Sequence, residues 1–229
     1  MTNASANGMN GNGTTGIEKQ SDFESVVKAR RSARKFLPGI EISDAELDRI
    51  FGLVKYAPSA FNLQHSHYLV VRDPETKDKV YEAANKQYKI KTASAVVVVF
   101  GRTDAHSDAA KIYEGMLHLG IFNKQQYEYE IATVQSFYEE RGDAFKREEA
   151  IRNANLSAML FMLAAKSNGW DTSPMIGFDP EKLMEAVGAP DRFVPALLIG
   201  IGKEDTSSQH IRGYRKPVGE FVSYDRIRD

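Results

Sequence analysis

The chain has 229 residues, 42% of them hydrophobic, enough to bury a sizeable core in one or two domains. Thirty Lys and Arg against thirty-one Asp and Glu leave a net charge of -1, which excludes the whole-protein field of a nucleic-acid or membrane-surface binder, so any cationic site must be local. With no cysteine there is no disulfide, thiolate nucleophile or Cys-ligated zinc; with no apolar run of ~18 residues and no basic start ahead of an apolar core, a cytoplasmic protein is expected.

Residues 1–20 are rich in Asn, Gly, Thr and Ser and are expected to form a disordered tail ahead of a single domain spanning 21–229. Gly11-Asn12-Gly13-Thr14-Thr15-Gly16 matches the dinucleotide pattern G-x-G-x-x-G literally. No strand precedes it and no apolar helix follows, so it is rejected. Ser21-Asp22-Phe23-Glu24 reads as a capping box, with Phe23, Val26 and Val27 as the apolar face of the helix that follows. Where that helix ends, Arg30, Arg31, Arg34 and Lys35 cluster with Ser32. Cations at a helix C-terminus complement its dipole, yet three Arg with a Ser exceed what a cap requires and suit a phosphate.

A second capping box, Ser43-Asp44-Ala45-Glu46, opens a helix with Leu47, Ile50, Phe51 and Val54 in register, running to about Tyr56. The uncharged, breaker-rich segment from Ala57 to Gln64 offers donors and acceptors at close intervals and also reads as an ordinary turn. His67 to Arg72 predicts a strand, Asp73-Pro74 starts a helix to about Ala84, and Ala95 to Gly101 predicts a strand buried on both faces. The 85–91 segment between them is a polar, basic connection. Residues 107–120 look helical, with Ile112, Met116 and Leu119 in register, and 124–149 read as a solvated, highly charged helical stretch. Ile151 to Ala165 is apolar nearly all round and predicts a central buried helix. Trp170 to Phe178 is a short connecting segment without an assigned element, Asp179-Pro180 caps a helix that stops at Gly188, and Phe193 to Gly202 predicts another buried strand.

The five histidines are scattered, no third ligand joins His65 and His67, and no metal site is expected. No Ser, Cys or Lys sits in a nucleophile motif, so an organic cofactor is the expected carrier of any chemistry.

Taken together, the motifs from about Phe23 onward resemble the FMN-dependent nitroreductase family. Arg30-Arg31-Ser32-Ala33-Arg34 is similar to the family's R-[RH]-S-x-[RK] opening, which grips the FMN phosphate and the polar edge of the flavin. The run containing Pro58, Ser59, Asn62 and Gln64 is similar to P-S-x-x-N-x-Q, which reaches the flavin from the other subunit. Pro174-Met175-Ile176-Gly177 resembles the segment beside the isoalloxazine, where a backbone N–H points at flavin N5. The segment carrying Arg212 and Arg215 resembles the C-terminal basic return to the phosphate; Ile176 replaces a Glu of some members, and the Lys of Lys-x-Arg-x-Pro is missing. By a looser alignment, Gln87 and Lys89 match positions on the ribityl chain and pyrimidine edge. The resemblance implies an α+β, three-layer fold with a mixed central sheet flanked by helices, and an intertwined homodimer. It implies FMN, with NADH or NADPH as donor, and ping-pong hydride transfer through N5 to nitroaromatic or quinone acceptors without a catalytic side chain. Reductive dehalogenation, flavin fragmentation or non-catalytic flavin binding on the same scaffold stand as alternatives.

Overall fold

The computed structural model describes residues 23–227. The expected tail, the rejected glycine run and the Ser21-Asp22 part of the first cap lie outside the described residues. Four strands form one sheet in the order β1-β2-β4-β3: β1 (Ser66–Val71), β2 (Ala95–Arg102), β4 (Phe193–Gly202) and β3 (Asp171–Met175). Among the described residues, eight α-helices accompany it: α1 (Phe23–Ala29), α2 (Asp44–Val54), α3 (Pro74–Ala83), α4 (Lys89–Thr92), α5 (Ala109–His118), α6 (Lys124–Glu139), α7 (Gly142–Ser167) and α8 (Pro180–Val187).

The buried runs of β2 and β4 exist because both faces of the sheet are covered. Val97 and Val99 of β2, with Leu197, Ile199 and Ile201 of β4, pack on α2 and α7 through Ile50, Val54, Ala158 and Phe161. The alternate residues Val96, Val98, Phe100 and Leu198 pack on α3 and α8 through Val80, Ala83 and Leu183. The result is the expected α+β fold in three layers. The helix signals behave as their chemistry dictates: Ser43 and Glu46 form a reciprocal capping box, Asp179 accepts from the N–H groups of Glu181 and Lys182, and Gly188 ends α8 at φ 62°.

Three expectations change. The four strands pair antiparallel throughout rather than as a mixed sheet, and the only parallel pairing among the described residues is an isolated bridge between Ser32 and Thr172. The physical reason is that each connection returns the chain to the end it left: Val71 at the end of β1 faces Val96 near the start of β2, and Arg102 faces Phe193. The stretch 171–175, left without an element, is β3; Ser173 and Pro174 conceal it, since Pro has no N–H for a ladder and is confined to edges such as this one. Finally, the apolar stretch of α7 is buried on only part of its surface, leaving Leu156 53% exposed and Met159 42% exposed, while Met116 and Leu119 of the expected α5 stripe also face outward. Apolarity all round does not choose a face; the neighbouring layers do.

The cation-bearing segment 30–36 is docked on the sheet by one aromatic wedge. The Ala33 N–H donates to the Thr172 carbonyl at 2.9 Å, the Leu37 N–H to the Lys203 carbonyl at 2.8 Å, and the buried Phe36 ring lies over Gly200 and Gly202. A Cβ on Gly202 would stand 2.8 Å from Phe36 Cδ1, so this strand needs glycine for the close approach. Behind β1, His65 is buried, its Nε2 is 3.1 Å from the Tyr138 hydroxyl, and burial pulls its pKa down from 6.5 to about 4, with His106 and Arg102 adding to the shift against the opposing pull of Glu149.

Two outcomes follow from this packing. Gly202→Ala is expected to destabilise the fold by about 1–3 kcal/mol through overpacking against Phe36, read as a lowered denaturation midpoint. His65 stays neutral in the folded protein while the unfolded chain protonates it near pH 6.5, so its contribution is full above that pH and is lost as pH falls from 6.5 towards about 4. The total approaches ~3 kcal/mol, and urea titrations at pH 7 and 4.5 are expected to show a smaller pH dependence in His65→Gln than in the native chain.

Candidate active site

β3 gathers two of the four singled-out segments, together with the Lys89 connection, along the edge of the sheet. Its Thr172 bridges Ser32, its fully buried Ser173 accepts from the Lys89 Nζ at 3.0 Å, and its last residue leads into Ile176 and Gly177. Burial holds the Lys89 ammonium below its ordinary pKa.

The C-terminal segment closes back on the end of α1. Arg30, Arg31 and Ser32 line one pocket of about 170 Å³ with Ile211, Arg212, Gly213 and Arg215. Arg31 Nη2 donates to the His210 carbonyl, and Arg212 Nη2 donates to the Lys28 carbonyl and, at 3.2 Å, to the Arg30 carbonyl. Arg212 therefore caps the last turn of α1, while Arg215 is turned onto the carbonyls of Gly213 and Tyr214 at 3.1 and 2.9 Å. Four arginines line this pocket and, among the described residues, no carboxylate does. Burial, then Arg212 and then Arg215, press the Arg30 pKa below its ordinary value. Such a set repels itself and is relieved by an anion; planar forks with a nearby serine hydroxyl fit a phosphate. Arg34 has an exposed side chain and does not line the pocket.

The Ile176–Gly177 turn is held from one side by amides. Asn85 Nδ2 and Gln87 Nε2 donate to the Gly177 carbonyl at 3.1 and 3.0 Å, and the Phe178 N–H closes onto the Ile176 carbonyl at 3.0 Å. The N–H groups of Ile176 and Gly177 have no partner among the described residues, and the Ile176 side chain is 80% exposed. Gln87 thus supports the turn in this structure, and Asn85, which sequence reasoning passed over, shares that task from a left-handed backbone at φ 52°.

The fourth segment lies elsewhere. Residues 58–64 run into β1, the opposite edge strand, three inter-strand spacings or about 14 Å across the sheet from β3. Pro58, Ser59 and Gln64 line a different cavity of about 220 Å³ with Phe51, Tyr68 and Ser157. Phe61, Asn62 and Gln64 all take positive φ, at 52°, 55° and 50°, which costs of order 1–3 kcal/mol for each strained residue. One protomer therefore brings Arg30, Arg31, Ser32, Arg212 and Arg215 together, with Lys89, Gln87, Pro174, Met175, Ile176 and Gly177 along the same strand, and leaves Pro58, Ser59, Asn62 and Gln64 apart. Among the described residues, no group of His, Asp and Glu is arranged to hold a metal ion, and no helix is long and apolar enough to cross a membrane.

Comparison with known proteins identifies the family and the fold. The model of the nitroreductase family matches residues 27–203. MhqN of Bacillus subtilis strain 168, named as a candidate NAD(P)H nitroreductase, is 53% identical over 203 residues, covering 89% of this chain and 98% of its own. The crystal structure of a candidate nitroreductase, ydfN of Bacillus subtilis, superposes with a TM-score of 0.86 at 53% identity, covering 88% of this chain and 98% of that one. A candidate nitroreductase of Exiguobacterium sibiricum 255-15, crystallised in complex with FMN, superposes with a TM-score of 0.82 at 29% identity, covering 89% and 97% of the two chains. A family match from α1 to the end of β4 takes in the arginine-bearing start, the 58–64 turn and β3 with its following turn, and on that ground the chain belongs to the nitroreductase family of oxidoreductases.

Proposed function

We propose that this protein is an FMN-dependent oxidoreductase that uses NADH or NADPH to reduce nitroaromatic or quinone-type acceptors in alternating half-reactions. The reading is carried by the pocket at the end of α1, where Arg30, Arg31, Arg212 and Arg215 converge without a carboxylate among the described residues. Arg30, Arg31 and Arg215 bind the cofactor phosphate, with the Ser32 hydroxyl beside them, and Arg212 keeps the C-terminal segment in place by its bonds to the Lys28 and Arg30 carbonyls. Further along β3, the Lys89 ammonium stands where negative charge on the reduced ring's polar edge needs a cation, with Arg34 available from the exposed side. The free N–H groups of Ile176 and Gly177, fixed from behind by Asn85 and Gln87, orient the ring edge without any titrating side chain. Bound FMN supplies the centre that accepts and returns the hydride, and no side chain of the protein is assigned that step.

The assembly that fits is a homodimer in which Pro58, Ser59, Asn62 and Gln64 serve the site built by the partner subunit. Supporting it are the separation of that segment across the sheet and the exposed apolar groups Leu53, Tyr56, Leu156, Met159, Tyr214, Phe221 and Tyr224, which need a surface to cover.

Purified protein is expected to release FMN on heat denaturation and, when reduced by NADH or NADPH, to be reoxidised by a nitroaromatic or quinone. Binding without turnover of any such acceptor points instead to a flavin-binding role, and halide release or flavin breakdown points to the other chemistries of this scaffold. Arg31→Ala is expected to weaken FMN binding about ten- to a hundredfold, the loss of ~1.5–3 kcal/mol from a charge-assisted bond. Riboflavin, which lacks the phosphate, is expected to bind this variant as it binds the native protein; equal loss for both flavins removes the phosphate from this pocket.

A further inference from the structure

The turn from Ser59 to Gln64 is held in its left-handed backbone by groups from two distant helices. The Ala60 N–H donates to Asn153 Oδ1 at 2.8 Å, and the Tyr113 hydroxyl donates to the Phe61 carbonyl at 3.1 Å. Asn153, on α7, is only 4% exposed, and its amide cannot swing: Nδ2 donates to the Glu149 carbonyl at 2.8 Å and to Glu149 Oε2 at 3.2 Å. Glu149 is itself held by Arg152 Nη1 at 3.0 Å. Burying an amide is costly unless each of its groups finds a partner, and every polar atom of Asn153 does. Tyr113, on α5, reaches the next carbonyl while Phe61 packs into the small core formed with Tyr138, Val134 and Phe137. Within the turn the local bonds are those of the Asn62 N–H to the Ser59 carbonyl and the Leu63 N–H to the Ala60 carbonyl, both at 3.0 Å, the Gln64 N–H to Ser59 Oγ at 2.9 Å, and a longer Gln64 Nε2 contact to the Asn62 carbonyl at 3.3 Å; none of them holds the Ala60 N–H or the Phe61 carbonyl. The side chains of Asn62 and Gln64 remain exposed.

We infer that Asn153 and Tyr113 are positioning residues for the cofactor site: they clamp the Ala60 N–H and the Phe61 carbonyl so that Ser59, Asn62 and Gln64 are presented to the FMN held by the partner subunit. This rests on the two-subunit reading of function. Neither residue touches the cofactor; each acts through the turn. A backbone that has to be forced into the left-handed region relaxes when its clamp is cut, and the side chains it carries lose their aim. Because the turn faces the flavin and not the phosphate, the loss falls on any flavin alike, unlike a loss in the arginine pocket.

The test uses the full-length dimer. Asn153→Ala and Tyr113→Phe are titrated with FMN and with riboflavin, after circular dichroism and sedimentation show each variant folded and dimeric. Asn153→Ala is expected to weaken both flavins by the same factor of about ten or more, ~1.4 kcal/mol or above, and Tyr113→Phe to act in the same direction less strongly. A tagged heterodimer of one Asn153→Ala subunit and one Arg31→Ala subunit then separates positioning from damage to the subunit's own fold. If Asn153 acts on the partner's site, both lesions fall in one site and the other is intact, so FMN titration shows one native-affinity site per dimer. Two weakened sites overturn the inference, as does native flavin affinity in both single variants. Failure of the native protein to bind FMN overturns the functional reading itself, an outcome distinct from native binding with unaffected variants.

Discussion

Pairing of a short, polar edge strand with β4 is the constraint on which the candidate site depends. β3 contributes five residues, one of them proline, and on its own has little reason to be a strand. Its pairing from Asp171 with Gly202 to Met175 with Leu198 fixes it in register, and three of its residues then act as brackets. Thr172 takes the cation segment, Ser173 takes Lys89, and Met175 delivers the Ile176–Gly177 turn to the amides of Asn85 and Gln87. Phe36, seated over Gly200 and Gly202, keeps the cation segment from leaving the sheet. Shifting this strand by one residue would turn Thr172 and Ser173 each to the face opposite its present one and separate the three parts.

The electrostatics of the arginine pocket run against folding of the protein by itself. Gathering Arg30, Arg31, Arg212 and Arg215 around one small space costs repulsion and desolvation, visible in the depressed Arg30 pKa, and the carbonyls of Lys28, Arg30 and His210 only partly offset it. A group that bound there with negative charge would offset this cost and raise local stability through linkage. The arrangement also explains how a chain of net charge -1 holds a cationic site, since charge is concentrated by tertiary return of the C-terminal segment and not by composition.

The turn before β1 shows the same trade in backbone terms. Three non-glycine residues at positive φ are tolerated because Asn153, Tyr113 and the aromatic cluster around Phe61 and Tyr138 hold the turn from behind. The α5–α6 pair, whose outward residues Met116, Leu119 and Tyr129 stay exposed, thereby acquires a structural link to that turn through Tyr113 and the Phe137 and Tyr138 rings.

What the sequence by itself determined was whatever depends on near neighbours. The capping box at Ser43, the N-cap at Asp179, the stop at Gly188, the doubly buried strands β2 and β4, and the clustering of Arg30, Arg31 and Ser32 are all written within a few residues, because hydrogen-bonded caps and side-chain periodicity are local. The motif order carried the family for the same reason. Only the tertiary structure decided the rest. β3 has no strand signal of its own and exists because β4 offers an open edge; the antiparallel order follows from where the connections return the chain; and the face of α7 that stays exposed is set by which layers pack against it. Arg212 as a cap on α1, Gln87 and Asn85 on one carbonyl, and Asn153 on the turn before β1 each join positions dozens of residues apart, and no local pattern encodes a contact whose partner is chosen by the folding of the whole chain.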